Sequence, residues 1–240
     1  MFDQTERERV HAHLVELAQA DERIVAAALT GSLGAGRADE WSDIDVAFAL
    51  DDGVEVATVV EDWTALLERE LGVVQHWDLP FRSSLYRVFL LDSLLEVDLA
   101  FVPRADFGAR GPSWRVEFGE TGVAQEAPRP DAGNLAGLGW HHVRHARANI
   151  ARGRPFAALY MLDAARELAI ELACLRLGLP TAYSRGAHEL PAELRARLCR
   201  TLPASLDDDE LLRALGETAD VLADEVEPRL AEIVRGFARA

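Results

Sequence analysis

Apolar residues recur at two different spacings in the first part of the chain and divide it into helices and strands. Helical spacing predicts an α-helix over 3–20, and the continuous apolar run 24–30 is short enough to be a buried strand. A second strand is predicted over 44–50, and a helix over 54–71 is expected to end at Gly72. This region is therefore expected to combine helices with strands.

Further strands are predicted beyond Gly72. A short strand is expected over 73–78, and the segments 85–91 and 94–102 are predicted to form a hairpin around Asp92 and Ser93. Because hairpin strands pair with each other, the N-terminal part is expected to contain a sheet.

The composition changes after residue 103. Glycine and proline recur through 104–134, where no clear periodicity survives apart from a predicted strand over 114–118. From 135 onward the apolar pattern is helical. Helices are predicted over 135–152, 155–177 and 191–202, and the segments 207–222 and 224–240 are predicted to form one or two more. The chain is thus predicted to be an α+β protein with a sheet-containing domain over 1–103, a connecting segment over 104–134 and an all-helical domain over 135–240.

Charge and composition limit the function classes. The net charge is −16 and all 25 basic residues are arginine, which argues against a long nucleic-acid substrate. The same negative charge is compatible with a cationic molecule as the acceptor substrate of a reaction, although it also keeps a protein soluble. No apolar stretch of about 18 residues predicts a membrane span, and no signal peptide is evident. We therefore expect a cytoplasmic protein in which Cys174 and Cys199 are core thiols.

The candidate chemistry lies at the junction of the first two predicted strands. Gly31 and Ser32 end the first strand, where a turn can offer backbone N–H groups and a hydroxyl to phosphate. A short helix is predicted over 33–38. Asp43 and Asp45 are two residues apart, so on a strand they project to one face, where paired carboxylates suit Mg²⁺ with substrate phosphates. The alternative is that both are solvated turn residues.

The chain contains Gly-Ser, then about ten residues, then Asp-x-Asp within S-D-I-D. This motif resembles the active-site signature of the nucleotidyltransferase superfamily, which includes DNA polymerase β and the antibiotic nucleotidyltransferases. The resemblance implies a mixed-sheet catalytic domain followed by an all-helical domain. It also implies that Asp43 and Asp45 bind Mg²⁺, with two ions expected, and that Gly31 and Ser32 hold the triphosphate of ATP.

A third acid is implied by the same resemblance. Asp98 lies in the apolar segment L-L-E-V-D-L-A-F-V, where the superfamily has an acid that completes the metal shell or deprotonates the acceptor hydroxyl. Glu96 has the same strand parity and is the rival, and it is also a candidate for acceptor binding. The alternative for Asp98 is an ion pair with an arginine such as Arg87, because a buried carboxylate needs a partner.

The helical part resembles the C-terminal half of aminoglycoside and lincosamide nucleotidyltransferases. Tyr160 and Asp163 lie near one face of a predicted helix and are candidates for acceptor binding. Arg166 is a candidate for the triphosphate, and its alternative is a surface pair with Asp163. Relatives often carry a basic residue in the loop after this helix, and the candidate here is Arg185, also for the triphosphate.

The predicted function is Mg²⁺-dependent transfer of a nucleoside monophosphate, AMP from ATP, to a hydroxyl of a small molecule, with aminoglycoside-like antibiotics as the leading acceptor class. One alternative is a non-catalytic regulatory or antitoxin-like member of the fold. Another is transfer to a protein side chain. Neither nucleic acid nor membrane is expected as a partner, and the sequence does not reveal the acceptor, the preferred base or the oligomeric state.

Overall fold

Two units make up the chain, one built around a sheet and one of helices. The computed structural model describes residues 2–109, 111–124 and 129–239, and the units are Met1–Ala127 and Pro128–Ala240. The first contains α1 (Gln4–Ala20), β1 (Ile24–Leu29), α2 (Gly31–Gly34), β2 (Ile44–Leu50), α3 (Val56–Glu70), β3 (Val73–Phe81), β4 (Ser84–Leu91), β5 (Glu96–Pro103) and β6 (Arg115–Phe118). The second contains α4 (Ala132–Ile150), α5 (Pro155–Leu177), α6 (Ala192–Arg200), α7 (Asp208–Ala223) and α8 (Pro228–Arg239).

The sheet of the first unit has the strand order β3-β4-β5-β2-β1-β6. The two central strands, β2 and β5, run parallel, and each of the other neighbouring pairs is antiparallel. The predicted hairpin of β4 and β5 is confirmed, and so is the α+β class with a mixed sheet. A parallel pair at the centre requires a crossover connection, which α3, β3 and β4 provide.

The two faces of the sheet carry side chains of different size. On β2 the larger residues Ile44, Val46 and Phe48 alternate with Asp45 and Ala47, as strand geometry requires. The large residues join the main core of this unit, in which the rings of Phe48 and Trp63 of α3 are 4.8 Å apart. The opposite face of the sheet is lined largely by alanine at positions 26, 28, 47, 49 and 100. This face therefore leaves space beside the acidic residues.

The strand predicted over 114–118 is confirmed as β6. It pairs antiparallel with β1, so that Leu29 faces Arg115 and Ala28 faces Val116. The first unit thus extends beyond residue 103 into the predicted connecting segment, part of which, at 110 and 125–128, lies outside the described residues. The predicted boundary at residue 103 excluded β6 because a four-residue strand gives little local signal and its partner β1 is far away in the sequence.

Local signals define the helices of the second unit. α5 begins with Pro155 and ends at Gly178, whose φ of +70° is left-handed, and both bounds agree with the prediction. α8 begins at Pro228 rather than at the predicted residue 224, as suits a proline in the first turn. Along α4, α5 and α7, alanine and leucine form the core.

The expectation that both cysteines are core thiols is wrong for one of them. Cys174 of α5 is buried, whereas Cys199 of α6 is exposed, and both are free. α6 buries Leu198 and leaves its neighbour at 199 outside the core. Within the described part of the chain, no helix has the length and apolar character needed to cross a membrane.

Candidate active site

The parallel pairing of β2 and β5 brings two predicted site residues together. Asp45 and Asp98 are register partners across this pair, and both belong to the alanine-lined face. Asp43 directly precedes β2, which begins at Ile44. Its charge acts on both Asp98 and Glu96, so the carboxylates of the two strands share one local environment.

Asp98 is held in a setting that disfavours its charged form. The pKa of its carboxyl is raised to about 6, mainly by burial and in addition by the neighbouring charges of Asp43 and Glu96. Its Oδ1 is buried, and no described residue forms a hydrogen bond with it. A bound cation would supply the missing partner and the missing positive charge.

The alternative in which Asp98 pairs with Arg87 is wrong. Arg87 instead forms two hydrogen bonds with Asp78 of β3, at 2.6 and 2.8 Å. It also donates to Glu61 and to Thr64, both on α3. These partners belong to the helix-covered side of the sheet, which strand alternation separates from Asp98.

Glu96, the rival of Asp98, lies at the start of β5. It is exposed, whereas Asp98 is partly buried. Burial raises the pKa of Glu96 and the charge of Asp43 adds to the effect. Of the two, Asp98 lies opposite Asp45 and is therefore better placed to act with the Asp-x-Asp pair.

The turn after β1 forms the other side of the site. A short helix is present in this turn as predicted, but it occupies Gly31–Gly34 (α2) and not 33–38. The backbone N–H of Thr30 donates to the carbonyl of Asp45 over 2.9 Å, which ties the turn to β2. Ser32 Oγ is buried without a hydrogen-bond partner among the described residues, so a donor is present for a phosphate oxygen.

Gly31 is required by two features of this turn. Its φ is +57°, a left-handed conformation that other residues seldom adopt. A β-carbon at this position would come 1.7 Å from Asp45 Oδ2, far inside contact distance. The absent side chain at 31 therefore provides the room that the Asp45 carboxylate occupies.

The carboxylates of this site suit Mg²⁺ as ligands. Among the described residues, no three His, Cys, Asp or Glu side chains are arranged as a preformed metal cage. Mg²⁺ seldom uses such a cage, since it is commonly bound by one or two carboxylates together with water and substrate phosphates. Asp43, Asp45 and the unpartnered Oδ1 of Asp98 fit an ion of this kind.

A cavity of about 180 Å³ lies on the same sheet face as these carboxylates. Its floor includes Ala47 and Ala100, each two residues beyond an acidic residue on its strand, and its walls include Phe107 and Trp114. The rings of this aromatic pair are 4.9 Å apart in an edge-to-face arrangement. The small alanines thus leave space for a non-phosphate part of a substrate.

The other predicted site residues lie in the second unit. Tyr160 is largely exposed. Arg166 donates to Asp163 over 2.6 Å, so the Asp163–Arg166 pair that was the alternative to triphosphate binding is formed. Arg166 nevertheless keeps a second nitrogen, Nη1, that is buried without a partner among the described residues. The guanidinium of Arg185 lies over the ring of Tyr183, 5.5 Å from its centroid.

Sequence reasoning missed Arg7. This arginine is 4% exposed and donates to the carbonyls of Asp39 and Ser42, in the loop that leads to Asp43. A signal was present, because Arg7 precedes Val10 and Leu14 by three and seven residues and so shares their apolar helix face. A charged residue at a core position of an amphipathic helix indicates a buried polar contact.

Comparison with known families gives one match, which lies within the first unit. Residues 12–106 match the family model of the nucleotidyltransferase domain. The matched segment contains Gly31, Ser32, Asp43, Asp45 and Asp98. The match confirms the resemblance on which the sequence analysis relied.

Solved structures give weaker similarities. An aminoglycoside 6-adenyltransferase from Bacillus subtilis is 13% identical, with 94% of each chain covered and a TM-score of 0.44. A nucleotidyltransferase-like protein from Exiguobacterium sibiricum 255-15 is 11% identical, with 98% of this chain and 78% of that chain covered and a TM-score of 0.38. A cytoplasmic RNA terminal U-transferase is 16% identical, with 95% and 68% covered and a TM-score of 0.33. No curated protein sequence matches the chain. At these identities and TM-scores, none of these structures identifies a substrate.

Proposed function

Because residues 12–106 match the model of the nucleotidyltransferase domain, we propose that the protein transfers AMP from ATP to a hydroxyl of a small molecule in a Mg²⁺-dependent reaction. The leading acceptor class is that of aminoglycoside-like antibiotics. The protein would thus be an adenylyltransferase that confers antibiotic resistance.

One observation carries this proposal. Asp98 is partly buried opposite Asp45 and beside Asp43, with a raised pKa and an oxygen that no described residue satisfies. Carboxylates gathered in this way repel one another, and a divalent cation is the simplest way to stabilise them together. The Gly31–Ser32 turn beside them would hold the triphosphate of the substrate.

Each residue has a distinct role in the proposed reaction. When bound, Mg²⁺ offsets the negative charge of the triphosphate and of the reacting phosphoryl group. Asp43 and Asp45 would hold the metal, with Asp98 as a further contact. Gly31 leaves room for Asp45, and Ser32 donates its hydroxyl to a phosphate oxygen. These contacts orient the α-phosphate for attack in line with the departing pyrophosphate.

We assign the acceptor proton to Asp98. A general base works best when its pKa lies near the working pH, and in the metal-free site the pKa of Asp98 is raised to about 6, which is close to neutrality. Asp98 also comes from a different strand than the Asp-x-Asp pair, so it adds an oxygen on another side of the site. The proton of the acceptor hydroxyl would pass to this carboxylate as the new ester bond forms.

The acceptor class is supported by charge. The net charge of −16 attracts cations over a long range. In the second unit, a cavity is lined by Glu167, Glu171 and Tyr183, and burial together with the charge of Glu167 raises the pKa of Glu171. Two carboxylates and an aromatic ring suit an ammonium group. Tyr160 and Asp163 of the same helix are proposed as additional acceptor contacts.

Two arginines of the second unit are proposed to bind the triphosphate. Arg166 has a buried Nη1 that is unpartnered among the described residues, and Arg185 is exposed in the loop after α5. A guanidinium presents several N–H donors in a geometry that matches phosphate oxygens. Both arginines are therefore chemically suited to this role.

The proposal is tested by incubating the protein with α-labelled ATP, Mg²⁺ and a panel of aminoglycosides and lincosamides. We expect pyrophosphate release together with a gain in the mass of one acceptor that corresponds to AMP. The Asp43→Asn, Asp45→Asn double variant serves as the inactive control, and EDTA should abolish the reaction.

Three other outcomes would overturn all or part of the proposal. Label found on a protein rather than on a small molecule would replace the acceptor class by a protein side chain. Binding of ATP without pyrophosphate release for any acceptor would favour a regulatory member of the fold. Turnover that persists in EDTA would exclude the metal role.

A further inference from the structure

Arg7 of α1 is a charged side chain in the interior of the first unit. Only 4% of its surface is exposed, on the helix face that also buries Val10 and Leu14. A cation is costly at such a position unless hydrogen bonds replace its hydration. Within the described residues, both hydrogen-bond acceptors of its guanidinium are main-chain carbonyls, those of Asp39 and Ser42.

The loop 39–42 that receives these bonds is also closed on itself. Ser42 Oγ accepts from the backbone N–H of Asp39 over 2.9 Å and donates to Asp39 Oδ1 over 3.0 Å. The backbone N–H of Trp41 donates to the same carboxylate over 2.9 Å. Arg7 then fastens both ends of this closed loop to α1, with 3.0 Å between its Nη1 and the Ser42 oxygen.

The contact with Ser42 bears directly on the candidate metal site. The carbonyl of Ser42 and the N–H of Asp43 belong to one planar peptide group, so a bond that holds the oxygen also orients the start of Asp43. β2 begins one residue later, at Ile44. Asp43 is therefore held between a strand on one side and the Arg7 contact on the other.

We propose that Arg7 is a positioning residue of the metal site and acts through the Ser42–Asp43 peptide group on the Asp43 carboxylate. The inference rests on the function proposed above, in which Asp43 binds Mg²⁺. Arg7 lies outside residues 12–106, so the family match does not include it. Loss of a group that orients a metal ligand typically lowers metal affinity by about 10- to 100-fold.

The test compares the full chain with the variants Arg7→Met and Arg7→Lys. Methionine fills similar space without a donor, whereas lysine restores a shorter donor and should rescue in part. Arg9→Met is the matched control, because Arg9 is exposed on the same helix. The measurement is the Mg²⁺ concentration that gives half-maximal binding of a fluorescent ATP analogue, with circular dichroism as the check on folding.

We expect Arg7→Met to raise this Mg²⁺ concentration by about 10- to 100-fold, as for other groups that orient metal ligands. Arg7→Lys should give a smaller rise and Arg9→Met none. At saturating Mg²⁺, the affinity for the nucleotide analogue should return to within a few-fold of the unsubstituted protein, a pattern that a general loss of structure would not produce. If Arg7→Met does not fold, the rise in Arg7→Lys carries the test.

Two results would overturn the assignment. A folded Arg7→Met or, failing that, a folded Arg7→Lys with an unchanged Mg²⁺ requirement would show that Asp43 does not depend on Arg7. Failure of both Arg7 variants to fold, while Arg9→Met folds, would make Arg7 a purely structural residue. If the unsubstituted protein itself shows no Mg²⁺-dependent binding, the proposed function fails and this inference fails with it.

Discussion

Gly31 and Asp45 occupy adjoining space, so that a β-carbon on Gly31 would lie 1.7 Å from Oδ2 of Asp45. The glycine of the turn and the central acid of the Asp-x-Asp pair are thus parts of one steric unit. Because the neighbouring Thr30 N–H is bonded to the Asp45 carbonyl, the turn cannot move away without breaking a tie to β2.

Substitution of Gly31 by alanine should abolish turnover. The added methyl group must displace the Asp45 carboxylate, and a misplacement of about 1 Å can cost about 100-fold in rate. Gly36→Ala is the matched control, because Gly36 has a similar left-handed φ of +65° but no atom within 4 Å of the added carbon. Initial rates with ATP and the identified acceptor compare the two. A Gly31→Ala enzyme as active as Gly36→Ala would contradict the steric argument.

Asp43→Asn and Asp45→Asn should each leave the fold intact and abolish Mg·ATP binding and turnover. Each change replaces a carboxylate oxygen with a neutral amide while keeping the size of the side chain, so the metal loses its charged ligand. Asp52→Asn, in the exposed turn after β2, is the control. Calorimetric titration with Mg²⁺ and a non-hydrolysable ATP analogue measures binding. Unchanged turnover in both site variants would remove these residues from the mechanism.

Asp98→Asn should bind Mg·ATP within a few-fold of the parent yet turn over slowly. Loss of a general base typically costs about 10²- to 10⁴-fold in rate, whereas Asp43 and Asp45 still supply oxygens for the metal. Titration with the same ATP analogue is set beside an initial-rate assay. Lost nucleotide affinity would instead favour the metal role for Asp98. Near-normal turnover would transfer the base role to Glu96 or another group.

Asp98→Asn should also stabilise the metal-free protein at high pH. The pKa of Asp98 is raised from 3.8 to about 6 on folding, mainly by burial, so the charged carboxylate is penalised only in the folded state. The penalty is complete above pH 6 and disappears below about pH 4, where the carboxyl is protonated in both states. Melting curves with EDTA should therefore show the variant more stable at pH 8 and equal to the parent near pH 4. A difference independent of pH would contradict the raised pKa.

Arg185→Ala should raise the KM for ATP more than the KM for the acceptor. Arg185 is an exposed cation in the loop after α5, proposed to meet the triphosphate. Arg152→Ala, at an exposed position after α4, controls for the loss of one positive charge. Steady-state kinetics with each substrate varied in turn separates the two constants. Equal effects on both substrates, or none, would count against the assignment.

Several features of this protein could be read from the sequence because their signals are local. Pro155 and Gly178 mark the ends of α5 through a fixed φ and a left-handed φ, which are properties of single residues. The strands β1 and β2 follow from short apolar runs, and the spacing from Gly31 to Asp45 identified the family that residues 12–106 match.

Other features depended on contacts between distant parts of the chain. Asp45 faces Asp98 because β2 and β5 pair in parallel, and β6 joins the sheet at β1 from a segment rich in glycine and proline. Strand register is set by long-range packing and turn geometry, and neither is recorded in the periodicity of a single segment. The exposure of Cys199 likewise depends on how α6 lies on its neighbours.

The sequence by itself therefore determined which residues carry the candidate chemistry, since residue type and spacing define a glycine turn and paired acids. Only the tertiary structure decided their physical state. It partly buried Asp98 and placed it beside other carboxylates, which raises its pKa to about 6, and it paired Arg87 with Asp78 instead. It also brought Arg7 to the loop before Asp43. Burial and neighbouring charge arise only when distant segments pack together, because the dielectric and the fields that act on a side chain come from all surrounding elements.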